Sequence, residues 1–269
     1  MNIDWTKKEV SSSALKSAKV STRNFFWYYQ KPREKKDYFD YGNAIELYLI
    51  DREAFNAEVA IMDESKRPEP TKNYQTKVNK DWKDNFYEQN ADKLIIPSTG
   101  KDSFETIQEI YEMVQNHPAA DLLFNSNNKY QQEFRWVCPI SGLNRYCRTD
   151  LTNNEQRYII DIKTYADDSF ERAATKNDHF LQAWDQALGV NASGAMGEEG
   201  VDSYYWFAIN KTAPYHVDFY KFDLDQAMKV EEVHNSIMHR LKDDLKKDPK
   251  DLVYTRTEVD LLKVPNYYK

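Results

Sequence analysis

Cys147-Arg148-Thr149-Asp150-Leu151-Thr152-Asn153-Asn154-Glu155-Gln156-Arg157-Tyr158-Ile159-Ile160-Asp161-Ile162-Lys163-Thr164 decides how this chain is read. Its second half is apolar and β-branched, the composition of a strand. Side chains alternate along a strand. Asp161 and Lys163 therefore share a face with Ile159, while Tyr158, Ile160 and Ile162 take the other. A strand buried on both faces has to pair such charges or use them on a metal. A turn centred at Glu155-Gln156 sets Asp150 opposite Asp161, with Cβ atoms about 5 Å apart. Two carboxylates at that range can share a divalent metal, and the lysine beside them can hold or activate a water. The plainer reading is a hairpin with one exposed face and a surface ion pair. A tight turn at Asn153-Asn154 would favour it, because Asp150 would then slip away from Asp161.

The whole chain sets bounds. Its 269 residues suffice for a sizeable core in one large or two small domains. No run of about 18 apolar residues suggests a membrane span. No signal-like apolar stretch opens the sequence, and Cys138 and Cys147 are too few for a disulfide framework. A reduced, cytoplasmic protein is the expectation. The net charge of −7 is uneven: residues 1–40 carry +4 and the remainder −11. An anionic substrate must therefore be met by local basic groups or by metal.

Helices are expected from Ser11-Ser12-Ser13 through the aromatic run Phe25-Phe26-Trp27-Tyr28-Tyr29 to a stop before Pro32, and over 42–55, 77–87, 102–116, 168–188 and 224–247. The aromatic run suits a packed helix end, or a stacking wall beside a nucleic acid. Strands are expected over 130–138, 143–150, 157–164, 204–209 and 216–222, with a turn at Pro139-Ile140-Ser141-Gly142. Residues 56–100 read as polar and irregular outside the 77–87 helix, and the glycine-rich 189–200 as a mobile loop lacking P-loop chemistry. One α/β domain with a mixed sheet is the simplest account. Glu46 sits beside the apolar stripe of Ile45 and Leu49. Gln182 and Gln186 share a helix face, with Asp178 and Asp185 close to it. Taken singly, such residues are usually solvated.

Taken in order, they resemble PD-(D/E)XK nucleases, and within that superfamily the exonuclease VIII (RecE) type of phages and prophages. The resemblance rests on Glu46, Glu133-x-x-Trp136, Gly142-Leu143, Arg148-Thr149-Asp150, Asp161-Ile162-Lys163-Thr164 and Gln182-x-x-x-Gln186. Ser13-x-Leu15-Lys16 matches the family's opening helix, and Tyr41-Gly42-Asn43-Ala44-Ile45-Glu46 followed by Phe55 its Gly-x-x-x-His segment. Pro214-Tyr215 and Leu262-Lys263-Val264-Pro265 also fit. Three departures stand out: Glu46 replaces histidine, Gln186 replaces tyrosine, and Thr149 replaces the proline before the first aspartate.

The resemblance implies a restriction-endonuclease-like α/β core, a central mixed β-sheet flanked by helices. It implies one domain over 1–269, with a basic, aromatic helical segment at 1–40 and a variable insertion at 56–100. It implies Mg²⁺ (or Mn²⁺) on Asp150, Asp161, the Ile162 carbonyl and Glu46. Lys163 would orient the attacking water and Gln182 would position the backbone or Lys163, while Gln186, Arg148 and Lys16 would face DNA. The implied activity is exonucleolytic, 5′→3′ on linear duplex DNA in phage-type recombination. A homo-oligomeric ring and a single-strand annealing partner come with it. A PD-(D/E)XK endonuclease, a non-catalytic DNA-binding module and a protein scaffold are the alternatives.

Overall fold

Two faces of one strand organise the computed structural model, which describes residues 3–5, 7–30, 37–70, 72, 74–224, 227–247 and 252. The expectations placed on Pro32 and on Leu262–Pro265 lie outside these residues. The elements run β1 (Val10–Ser11), α1 (Ser12–Val20), α2 (Thr22–Gln30), α3 (Asp37–Ile50), α4 (Arg52–Glu58), β2 (Val59–Met62), a short 3₁₀ turn (Glu64–Lys66), α5 (Lys77–Gln89), β3 (Leu94–Pro97), α6 (Phe104–Gln115) and α7 (Ala120–Leu123). They continue β4 (Lys129–Tyr130), β5 (Glu133–Val137), β6 (Asn144–Arg148), β7 (Leu151–Asn153), β8 (Tyr158–Tyr165), α8 (Phe170–Lys176), α9 (His179–Ser193), β9 (Ser203–Asn210), β10 (Val217–Phe222) and α10 (Met228–Asp244).

The main sheet has five strands in the order β10-β9-β8-β7-β4. β8 and β9 are parallel, and the other neighbours are antiparallel. Tyr158, Ile160 and Ile162 of β8 pack with Phe207 and Ile209 of β9 against Ile45 of α3 and Ile107 and Ile110 of α6. Ile159 packs the other way, with Tyr204 and Trp206, toward Ala173 of α8 and Ala183 of α9. A helical layer therefore covers each face, the mixed α/β arrangement expected. A second sheet, β1-β6-β5, carries the N-terminal helices, and β2 and β3 form a small third sheet.

The turn falls where Asp150 needs it. Leu151 pairs with Ile160, Thr152 with Ile159 and Asn153 with Tyr158. Continued by one residue, this register sets Asp150 opposite Asp161. The Gln156 amide donates to Asn153 Oδ1 at 2.9 Å, which closes the turn.

Three long helices of the sequence reading are each broken in two. Between α1 and α2, Ser21 is extended and its hydroxyl accepts from the Asn24 amide at 3.0 Å. Between α3 and α4, Asp51 Oδ1 accepts from the Ala54 amide at 2.8 Å. Between α8 and α9, Asp178 takes a left-handed φ of 53°. At Ser21 and Asp51 a short polar side chain competes with the helix for its own backbone donors, whereas at Asp178, whose side chain makes no cap bond, the left-handed backbone makes the break. The last helix is shorter than expected and spans Met228–Asp244.

Two further expectations need correction. Residues 56–100 hold a parallel strand pair, with Val59 opposite Leu94 and Met62 opposite Pro97. The expected strand over 130–138 is split at Gln131, whose φ is 46°. β4 then joins the main sheet through β7, while β5 joins β6.

The glycine-rich stretch is also not one loop. α9 runs on to Ser193 and ends at Gly194, left-handed at φ 70°. Gly189 lies inside the helix, where an added Cβ would meet Trp136 Cζ3 at 2.5 Å and Cys147 Sγ at 2.9 Å. This close approach of α9 to β5 and β6 requires a residue without a side chain. Gly189→Val is expected to destabilise the protein by about 1–3 kcal/mol through overpacking, measured as a lower Tm with unchanged far-UV circular dichroism.

Candidate active site

β8 delivers Lys163 to one end of a cavity of about 880 Å³, which is also lined by Glu46, Asp150, Ile162 and Arg148, and Asp161 lies buried beneath Lys163. Asp161 is 1 % exposed. Its Oδ1 accepts from Lys163 Nζ at 2.6 Å, and its Oδ2 is buried with no partner among the described residues. Asp150 sits in the bend between β6 and β7, where its Oδ2 accepts from the Ile162 amide at 2.7 Å. That bond fixes one carboxylate to the strand that carries the other. Glu46 comes in on α3, and its Oε1 accepts from Gln131 Nε2 at 3.4 Å. One turn earlier on α3, a Cβ on Gly42 would lie 3.0 Å from Thr164 Oγ1. A glycine at that point lets α3 approach β8, which brings Glu46 to the cavity.

The carboxyls oppose one another's ionisation. Burial, then the charges of Glu46 and Asp161, push the Asp150 carboxyl well above its ordinary range. Burial raises Glu46 as well; Asp161 adds to this while Lys163 pulls against it. For Lys163, burial favours the neutral amine. Asp161, Asp150 and Glu46 together overcome that and hold its pKa above the usual lysine value. Lys163 is therefore an ammonium ion, a donor and not a base.

Oxygen donors and an unused buried carboxylate oxygen are the chemistry a hard divalent cation requires. The residues present fit such an ion: Asp161 through Oδ2, with Asp150, Glu46 and the Ile162 carbonyl as neighbouring oxygen donors. Among the described residues no three His, Cys, Asp or Glu side chains are already gathered as a metal cage.

The opposite wall belongs to α1 and α9. Gln182 accepts from Lys16 Nζ at 2.9 Å. Burial and the neighbouring Lys163 lower the Lys16 pKa to about 8. Gln186 is buried; its amide donates to the Arg148 carbonyl at 2.8 Å and accepts from Tyr204 Oη. Arg148 itself is exposed at the cavity rim. The Thr149 amide donates to the Gln132 carbonyl at 3.0 Å, a bond proline could not make. Of the aromatic run, Phe25 and Phe26 are core, Tyr28 lines the cavity and Trp27 is 62 % exposed.

The sequence reading missed two features. His179 lines the cavity beside Gln182, and burial, with Lys163 and Lys16, pulls its pKa down to about 3. The other is a buried ionic network. Asp185 accepts from Arg145 Nη2 at 2.8 and 2.7 Å, from Ser12 Oγ at 2.6 Å and from His234 Nε2 at 3.2 Å. Gln182 and Gln186 are thus not on a solvated helix face, since Asp185 between them is fully buried. The available signal was the apolar company of Asp185, flanked by Trp184, Ala187 and Leu188.

Comparison with known proteins agrees with this architecture. The model of a family described as a PDDEXK-like domain of unknown function matches residues 11–248. The crystal structure of a "putative exonuclease" from Eubacterium rectale superposes with a TM-score of 0.58 at 14 % identity, covering 97 % of this chain and 91 % of that one. The crystal structure of SSO0001 gives a TM-score of 0.30 at 12 % identity over 76 % of this chain and 87 % of that one, too distant to bear on the fold. No curated protein matches.

The carboxyl electrostatics set a pH dependence. A carboxyl whose pKa is raised by folding costs stability at neutral pH, and the cost disappears as pH falls through its folded pKa. Asp185 is opposite in sign: burial raises it, but Arg145, His234 and Ser12 together hold it below the ordinary value. Without divalent metal, thermal stability is expected to rise as pH drops from neutral, then to fall once pH passes below the ordinary aspartate range. Asp150→Asn keeps an acceptor for Ile162 and removes the repulsion. It is expected to raise the neutral-pH Tm and flatten the first phase, as read by calorimetry in chelator.

Proposed function

Because this chain belongs to the family of PDDEXK-like domains, we propose that it is a metal-dependent deoxyribonuclease that degrades linear duplex DNA from its ends. The observation that carries the reading is the centre on β8. Asp150 and Asp161 stand opposite each other in register, Asp161 keeps one buried oxygen unpartnered, and Lys163 is held charged beside them.

Nucleases of this superfamily generally use divalent metals. Asp150, Asp161, Glu46 and the Ile162 carbonyl are the groups that would hold the ion, with Mg²⁺ or Mn²⁺ suited to an all-oxygen set. When bound, it supplies Lewis acidity to the phosphoryl group. The protein's own groups do the rest. Lys163 spends one N–H on Asp161. Its remaining donors can orient the attacking water and stabilise charge that develops on the phosphate oxygens. As an ammonium ion it positions that water without deprotonating it. Glu46, raised toward neutrality by burial, is available to hold the ion or to take the proton of the water. Gln186 and Tyr204 brace Arg148 at the rim, where its guanidinium can meet the DNA backbone.

Attack from strand ends, 5′→3′ polarity, a ring of identical subunits and a partner that anneals the exposed strands complete the proposal. They rest on the resemblance to the exonuclease VIII type. A ring would retain an acidic protein on DNA by enclosure, since overall charge does not. Among the described residues no helix is long and apolar enough to cross a membrane.

Digestion of end-labelled linear duplex with Mg²⁺ or Mn²⁺ tests the reading. Wild-type protein is expected to release nucleotides from 5′ ends, to spare closed circular DNA and to stop in chelator. Asp161→Ala and Lys163→Ala are each expected to lower the rate by about a hundredfold or more, the scale of losing one electrostatic group at a reacting centre, with the fold retained. Full activity in both variants refutes the site. Cutting of closed circles replaces the exonuclease with an endonuclease.

A further inference from the structure

We propose that Gln131 is a positioning residue of the centre: it fixes the carboxylate of Glu46 against Asp150 and so completes the set of oxygen donors for a divalent ion. The proposal rests on the nuclease reading for the ion and the reaction; the contacts of Gln131 stand apart from it.

Each carboxyl of the centre is held by a donor from the protein. Asp161 accepts from Lys163 Nζ and Asp150 from the Ile162 amide, both on β8, the strand that also carries Asp161. Glu46 comes from another layer, on α3, at the end of a long and flexible side chain. Its donor is Gln131 Nε2, 3.4 Å from Oε1. The same residue is tied to Asp150, because the Gln131 amide donates to the Asp150 carbonyl at 2.9 Å. Gln131 thus bonds one member of the centre through its backbone and another through its side chain.

The backbone at this point is built for the contact. Tyr130 pairs with Leu151 and Glu133 with Arg148, so the count sets Gln131 opposite Asp150, where both chains pass from one sheet to the other. The Thr149 amide, bonded to the Gln132 carbonyl at 3.0 Å, keeps the two bends together. Gln131 holds φ at 46° there. Left-handed backbone is uncommon outside glycine, and such strain persists where a function uses it. Glycine would make the same bond to the Asp150 carbonyl without strain. What glutamine adds is a side-chain amide, and that amide ends on Glu46.

An amide also suits the charges. Burial and Asp161 push Glu46 toward the neutral acid, while Lys163, Arg148 and the Gln131 amide favour the carboxylate. A neutral donor orients Glu46 without adding a positive charge that would repel a cation. Occupying Oε1, it leaves the lone pairs of Oε2 for the ion. Groups that hold a metal ligand in this way commonly set metal affinity.

Calorimetric titration of the protein with Mn²⁺, run beside thermal melts in chelator, tests this. Gln131→Gly keeps the backbone bond to Asp150 and adopts the left-handed conformation freely, so its Tm should be at least that of wild type. Its Mn²⁺ affinity should nevertheless fall by about tenfold, the lower end of what losing the partner of a metal ligand costs. Gln131→Met, of similar length but without a donor, should show the same fall. In a Glu46→Gln background Gln131→Met should cause no further loss, since the effect runs through Glu46. Wild-type affinity in both Gln131 variants overturns the proposal. So does an equal loss from Gln131→Met with and without Glu46, or a loss in Gln131→Gly that comes with a lower Tm. If the Gln131 variants bind Mn²⁺ as wild type does while Asp161→Ala abolishes DNA digestion, the positioning role falls and the nuclease reading stands. Gln131-dependent Mn²⁺ binding by a protein that digests no DNA is the reverse case, and a wild-type protein that binds no Mn²⁺ overturns both.

Discussion

The Arg145–Asp185 pair is the constraint on which the other parts depend. Both side chains are out of water, at 1 % and 0 % exposed. Removing two charges from solvent costs several kcal/mol per ion, and the pair persists only if its remaining donors and acceptors are satisfied. Ser12 and His234 complete Asp185, while the Val10 carbonyl accepts from Arg145 Nε at 3.0 Å. These partners come from β1, α1, β6, α9 and α10, so one ionic contact fixes five elements against one another. Lys16 lies one turn beyond Ser12, Gln182 about one turn before Asp185, and Arg148 and Asp150 just past Arg145. The two walls of the cavity are thus held in place largely from behind, with Ser12 alone of these residues also lining it.

The cavity pulls the other way. Burial and the neighbouring carboxylates raise the cost of ionising Asp150 and Glu46, and Lys163 compensates only part of it. Such a cluster is destabilising in isolation and is retained where a ligand or a reaction uses it. The apolar faces of β8 and β9 supply the opposing stability. Eight residues of β8 therefore serve both purposes, apolar side chains binding the helical layers while Lys163 lines the cavity and holds the buried Asp161 beside it.

Much of this was legible in the chain, for local reasons. The period of Tyr158–Tyr165 and the distance from Asp150 to Asp161 fix face and register together, since a shift of one residue would bury the wrong set. The helix over Phe104–Gln115 carries its own capping signal at Ser103. Other features were hidden for equally physical reasons. Val59–Met62 and Leu94–Pro97 are four residues each, too short for periodicity to separate them from loops. Ser21 and Asp51 break helices through bonds whose use depends on where the chain turns next, and Asp178 through a left-handed backbone. Arg145 and Asp185 are forty residues apart, and no local pattern names a partner at that distance. His179 and Lys16 acquire meaning only when α1 and α9 are brought together.

The contrasting environments of Lys16 and Lys163 have a chemical consequence beyond substrate handling. Lys163 is ion-paired and held charged. Lys16 shares its proton with solvent near pH 8. Only an unprotonated amine is nucleophilic, so an acylating reagent entering the cavity in mildly alkaline solution meets a reactive Lys16 and an inert Lys163. The fold thereby makes Lys16 a handle for selective covalent labelling of the cavity, distinguished from Lys163 by protonation and not by access.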